Sequence, residues 1–195
     1  MRLAERINAE TSSFHAEADE DTIRLFGAIT ADDYRRYLMH TYGFVAPVER
    51  AIVQVTSAEH YVDLRRFNKQ ELIRRDLRAL RVSEDTIKHL PQCRVPALAN
   101  AEAVLGWAYV LERGTLGFGN LFRHLATVLP GEAAFASSYL KCYFGAVGEA
   151  WRSFLLALDA AGGHGDQHAR DVIAAAIAAF RTYRAWCYTA ERAVS

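Results

Sequence analysis

The chain has 195 residues, 51% of them hydrophobic, and its 23 basic side chains are balanced by 23 acidic ones. A length of this order suits one domain over 1–195 that buries about 70% of its unfolded surface. The even charge gives no reason to expect a nucleic-acid partner, and no run approaches the ~18 apolar residues of a membrane helix. The opening MRLAERINAE has no apolar signal-peptide core, so a cytoplasmic protein is expected. Cys93, Cys142 and Cys187 show no CxxC spacing and are odd in number, which argues against a disulfide framework and for small buried hydrophobes.

With four prolines and no strand-like alternation bounded by hairpin turns, the fold is predicted to be all-α, a single-domain helical bundle. Helices are expected at about 2–19, 31–57, 68–80, 83–89, 98–128, 132–160 and 167–192. In the first, Leu3, Ile7, Phe14 and Ala18 form a core stripe, while Asn8, Thr11, His15 and Asp19 share a neighbouring line. That line aims the His15 imidazole sideways, with Asp19 one turn on and placed to orient it. Thr30 with Asp33 resembles a capping box, Pro47 lies inside the second helix and should bend it, Ser83 with Thr86 is a weaker start signal, and Asp166 follows GGHG as an N-cap. Arg outnumbers Lys 20 to 3, and Arg65, Arg66, Lys69, Arg74, Arg75, Arg78 and Arg81 cluster. Because these alternate with Asp63, Glu71 and Asp76, they read first as a solvated helix face and second as a docking face for an acidic redox partner.

The fifth predicted helix is the most informative. GWAYVLERGTLGFGNLFRHL, from Gly106 to Leu125, has helical spacing yet carries Gly106, Gly114, Gly117 and Gly119. An interior glycine costs a helix about 1 kcal/mol against alanine, so a cluster must return close backbone approach or a kink. With Arg113 at zero and about 100° per residue, Gly117 falls near 40°, Gly114 near 100°, and Gly106 and His124 near 20°. One stripe is therefore bare of side chains and edged by Arg113, Asn120 and His124, a surface for a flat ligand or a second helix. No HExxH, paired ExxH or CxxC occurs, and His40, His60, His89, His124, His164 and His168 show no mutual metal spacing.

TSSFH at Thr11–His15, followed some 90 residues later by WAYVLERGTLG and then by WRSFLLALDAAG at Trp151–Gly162 and a closing helix with Phe180 and Tyr183, resembles the heme oxygenases, especially the bacterial ones. The resemblance implies an all-α heme-oxygenase-like fold over nearly the whole chain. It makes His15, in its Thr11 setting, the axial iron ligand, sets Asn8 near the heme edge, and places Gly117 over the porphyrin. Tyr109 and Phe122 look like wall residues, and Arg123 and His124 fall where some members direct a basic residue toward a propionate. The implied activity is reductive, O2-dependent opening of heme to biliverdin, CO and iron, with heme as both cofactor and substrate. Electrons come from a separate reductase or ferredoxin, since no flavin or nucleotide fingerprint is present, and a bilin-accepting protein is a candidate further partner.

One departure falls at the heart of the distal motif. Aligned on Leu116-Gly117, the glycine of the family's E-G-S becomes Arg113 and Gly114 is displaced by one position, so Arg113, Gly114 and Gly117 are the candidate catalytic set. A buried unpaired guanidinium costs several kcal/mol, so Arg113 is expected to be paired with an acidic neighbour or a propionate. Two alternatives follow: a degenerate relative that holds heme or a bilin without turnover, and a helical domain whose glycines only allow tight packing.

Overall fold

The computed structural model describes residues 2–27, 30–163 and 165–192, and these form helices and turns with no strand among them. His164 lies outside the described residues.

The first predicted helix is two, α1 (Leu3–Glu10) and α2 (Ser12–Phe26), broken at Thr11. The Thr11 hydroxyl donates to the Ile7 carbonyl at 2.6 Å, a back-bond to i−4 that bends helices. Helix α2 runs a further two turns beyond the predicted end, because Thr22 is held by the Tyr183 hydroxyl at 2.7 Å and Phe26 is buried. The Thr30–Asp33 capping box starts α3 (Ala31–Val53) as expected. Pro47 sits inside α3 and has no N–H to offer the Gly43 carbonyl four residues back. That carbonyl accepts from the Cys93 amide at 2.8 Å instead, so the missing helical bond is replaced by a tertiary one.

Short 3-10 turns at Thr56–His60 and Leu64–Arg66 lead into α4 (Lys69–Ala79) and α5 (Glu84–Lys88), the latter capped by Ser83, whose Oγ accepts the Thr86 amide. Asn100 caps α6 (Ala101–Gly114), accepting the Ala103 amide at 3.0 Å. The predicted helix over 98–128 is then interrupted: a 3-10 turn at Thr115–Gly117 separates α6 from α7 (Phe118–Val128).

The predicted helix over 132–160 is the largest correction. The structure has α8 (Pro130–Phe135), turns over 138–146 and α9 (Val147–Gly162). The buried Asp76 carboxylate accepts the backbone amides of Ser138 and Tyr139, both at 2.8 Å, Tyr34 donates to the Ala136 carbonyl at 2.7 Å, and Gly145 has φ +80°. These long-range bonds outweigh local helix propensity. The final helix α10 (Asp166–Arg192) begins with Asp166 as its first residue rather than as its cap.

Helix α6 lies directly on α10. A Cβ on Gly106 would stand 2.5 Å from the Val172 carbonyl oxygen and 2.6 Å from the Ala175 Cβ. The C-terminal turn of α6 is pinned separately: Glu112, 1% exposed, accepts from Lys69 Nζ and from Arg66, each at 2.8 Å, and from the Tyr143 hydroxyl at 3.2 Å. Upstream, the buried Glu49 accepts the first backbone amides of α4, those of Lys69 and Gln70. All three cysteines are free; Cys93 and Cys187 are buried and Cys142 half-buried, in line with a packing role.

Gly106→Ala is expected to destabilise the fold by about 1–3 kcal/mol, because the added methyl would meet backbone atoms of α10 and a Cβ fixed to that backbone, none of which can yield. Urea unfolding with no loss of midpoint would show that α6 and α10 separate freely.

Candidate functional site

A cavity of about 380 Å³ opens between α2 and the α6–α7 break, within the roughly 300–1,000 Å³ of small-molecule and cofactor sites. One wall is α2, through Ala18, Asp19, Thr22 and Ile23. The opposite wall runs from Val110 to Leu121 and includes Arg113, Gly114, Leu116, Gly117 and Asn120. The buried back comes from Tyr37, His40, Thr41, Phe44 and Val45 of α3, Tyr139, and Phe180, Tyr183 and Trp186 of α10. At the mouth, Ile23 and Leu116 are 64% and 42% exposed, large apolar side chains left without cover. An added Cβ on Gly114 or Gly117 would meet nothing within 4 Å. The glycine stripe therefore divides its labour: Gly106 admits a second helix, and Gly114 and Gly117 leave space.

His15 stands beside the cavity rather than in its lining. Its Nε2 lies 2.8 Å from Thr11 Oγ1 and 3.2 Å from the Tyr109 hydroxyl, and its ring packs 5.5 Å from that of Phe180, which does line the cavity. The Thr11 hydroxyl hydrogen is already committed to Ile7, so the Thr11 contact needs Nε2–H as donor. Burial, and after it the Arg113 charge, push the His15 pKa down to about 4 against the pull of Asp19. The imidazole is neutral near pH 7, the state that metal ligation requires.

Asp19 does not orient His15. It binds Arg113 instead, with guanidinium nitrogens 2.7 and 2.9 Å from its two carboxylate oxygens. Arg113 is thus paired, as charge in a half-buried site demands, with a partner on the facing helix.

Of the other expected site residues, Tyr109 is fully buried behind His15. Asn8 is exposed on α1 beyond the break at Thr11. Phe122 packs 6.1 Å from Phe144 under Lys141, Arg123 binds Asn120, and His124 is exposed with its ring 6.1 Å from Phe26; none of these three lines the cavity. The α3 wall is absent from the sequence reading, although Tyr37, Thr41, Phe44 and Val45 recur at helical spacing and offered a signal. His40, also on that wall, stacks on Trp186 at 4.8 Å and has Nε2 buried with no hydrogen-bond partner; burial lowers its pKa to about 4. Most of the basic cluster is internally neutralised: Arg66 and Lys69 bind Glu112, Arg65 binds Asp63, and Arg74 and Arg78 bind Glu84. No group of three or more His, Cys, Asp or Glu side chains fit to hold a metal ion, and no helix long and apolar enough to cross a membrane, occurs among the described residues.

The family model described as heme oxygenase matches residues 1–189. The chain belongs to the heme oxygenase family. Among solved structures, this heme oxygenase family member is similar to the heme oxygenase of Neisseria meningitidis, described in its NO- and CO-bound forms, at 20% identity and a TM-score of 0.76 over 97% of this chain and 92% of that one. A likeness at this identity speaks to the fold, and it agrees with the all-α architecture above. A comparison with curated proteins finds no match.

Two measurements check the site. His15 and His40 titrate near pH 4 when folded against an ordinary value of 6.5, so between these pH values the unfolded chain binds more protons. Stability is then complete above pH 6.5 and lost as pH falls toward 4; His40→Phe should flatten that slope in urea titrations, and an unchanged slope would mean His40 does not titrate with folding. Gly117 has helical φ/ψ of −80° and −15°, so Gly117→Ala is expected to keep or raise stability, by up to about 1 kcal/mol, while lowering hemin affinity by filling the cavity face. Weaker folding with unaltered hemin binding would remove Gly117 from the site.

Proposed function

We propose that the protein is a cytoplasmic heme oxygenase, one domain over 1–195, that takes heme into the cavity between α2 and the α6–α7 break and opens it to biliverdin, CO and iron. O2 is the oxidant, and electrons come from a separate reductase or ferredoxin. The observation that carries this reading is the placement of the open glycine faces, Gly114 and Gly117, across an apolar cavity from the helix that bears a neutral histidine.

The residues present fit a flat, largely apolar group with acidic substituents. Ile23, Leu116, Phe44 and Phe180 supply apolar surface, Arg113 supplies a cation, and the two glycines permit close approach to backbone. His15, neutral and beside the cavity, would hold the iron. Heme, when bound, supplies the redox-active iron and is itself the molecule consumed. The chain's own part is to hold it between two helices, keep bulk water off the buried wall of α3 and α10, and leave the space above Gly114 and Gly117 unfilled for O2. Tyr139 and Tyr183 on that wall have pKa values raised well above 10 by burial, so both stay protonated hydrogen-bonding groups at any working pH.

A second reading, a relative that binds heme or a bilin without turnover, is favoured by one observation: the Arg113–Asp19 pair occupies the wall where the family has a glycine. Purified protein mixed with hemin and then given a reductant in air separates the two. A Soret band lost on His15→Ala with the helical circular dichroism intact, followed by a red-absorbing biliverdin band in the parent, is the expected result. Binding without the red band would favour the second reading, and no Soret band at all would exclude both. If His15→Ala left the spectrum unchanged, a different side chain would be the ligand.

A further inference from the structure

Among the described residues lining the cavity, Arg113 is the one arginine or lysine and Asp19 the one acid. They face each other from α6 and α2, 94 residues apart in sequence, and bind in the two-point geometry that guanidinium and carboxylate share. The pair is the second rung of a short ladder. His15 and Asp19 stand one turn apart on α2, Tyr109 and Arg113 one turn apart on α6, and His15 meets Tyr109 as Asp19 meets Arg113. These two rungs tie the helices that a flat ligand must lie between.

We propose that Arg113 and Asp19 form a carboxylate-exchange latch. In the free protein Asp19 occupies the guanidinium and holds α2 to the end of α6. A tetrapyrrole carrying free carboxylates displaces Asp19 and takes its place on Arg113. This inference rests on the reading of the cavity as a tetrapyrrole site and adds what selects the ligand and what opens the cleft.

The geometry suits exchange rather than permanent closure. The Asp19 side chain is 54% exposed and that of Arg113 19% exposed, so the displaced carboxylate turns into water without desolvation while the guanidinium stays against the cavity. An ion pair this open to solvent sets a resting geometry and yields to a competitor of the same chemistry. No second cation lines the cavity among the described residues to receive an anionic ligand. With Asp19 still in place, the ligand's carboxylates would meet an already neutralised guanidinium beside a carboxylate of like charge. The one arginine or lysine of the cavity lining is thus held by a group that imitates what the ligand brings.

The test uses the full chain, hemin with free propionates, hemin dimethyl ester with both propionates blocked, and the variants Asp19→Asn and Arg113→Gln. Association is followed at the Soret band and dissociation by transfer to an excess of a heme scavenger. Both variants lose the latch, and association of hemin should quicken about 2- to 5-fold, the range an exposed pair represents. Their dissociation should diverge: no faster than the parent in Asp19→Asn, faster in Arg113→Gln. The parent should prefer hemin over the diester, Asp19→Asn should widen that preference, and Arg113→Gln should abolish it. A parent that binds both forms equally, or an Arg113→Gln variant that keeps the full preference, overturns the exchange while the tetrapyrrole site stands. If parent and variants, all helical by circular dichroism, bind neither form, the site reading fails and the latch with it.

Discussion

The site depends on one contact, the seating of the α6 backbone on α10 at Gly106. With an added Cβ meeting backbone at 2.5 Å, the two helices touch without side chains between them, closer than any other residue would allow. Each helix then supplies a face of the cavity: α6 brings Val110, Leu111 and Arg113, and α10 brings Phe180, Tyr183 and Trp186. This contact fixes where the α6 wall stands relative to the buried back of the cavity. Beyond that contact, Gly114 and Gly117 bracket the 3-10 turn and leave open space.

Buried carboxylates carry much of the remaining positioning. Glu49 accepts the first amides of α4, Asp76 the amides of Ser138 and Tyr139, and Glu112 the side chains of Arg66, Lys69 and Tyr143. A buried charge is tolerated only when its hydrogen bonds are met, and removing one partner of such a set costs about 3–5 kcal/mol. Each acid therefore fixes a particular stretch of backbone. Asp76 holds the turn that brings Tyr139 to the cavity, and Glu112, the residue before Arg113, is itself pinned, so the guanidinium leaves α6 from a fixed base. Burial raises the Glu49 and Asp76 pKa values against the pull of their amide donors.

Arg113 is absorbed beside the cavity because its side chain is long. It reaches across to Asp19 on α2 instead of standing over Gly114 and Gly117, whose outward faces stay clear. The same reach couples two parts of the site that a glycine would leave independent: the Arg113 charge helps to hold His15 neutral, and Asp19 is drawn away from the imidazole it was placed to serve. Position on a helix line decided which groups were available, and charge decided which of them paired.

The sequence by itself determined the helical class, most helix starts and the two segments that face each other. Periodicity, the Thr30–Asp33 box, Ser83 and the glycine run are local signals, and local signals survive folding when nothing distant opposes them. The ERGTLG segment was legible because glycines are unusual inside a helix, and TSSFH through its resemblance to the heme oxygenases. Tertiary structure alone decided the rest. The turns over 138–146 exist because Asp76, some 62 residues upstream, takes amides that a helix would have used. The break at Thr11 follows from a hydroxyl choosing a carbonyl over solvent, and the α3 wall lines the cavity together with residues of α10 that are distant in sequence. Even the pairing of Arg113 was legible as a requirement and not as an address: a buried guanidinium must find a carboxylate, and only the packing of α2 beside α6 makes that carboxylate Asp19.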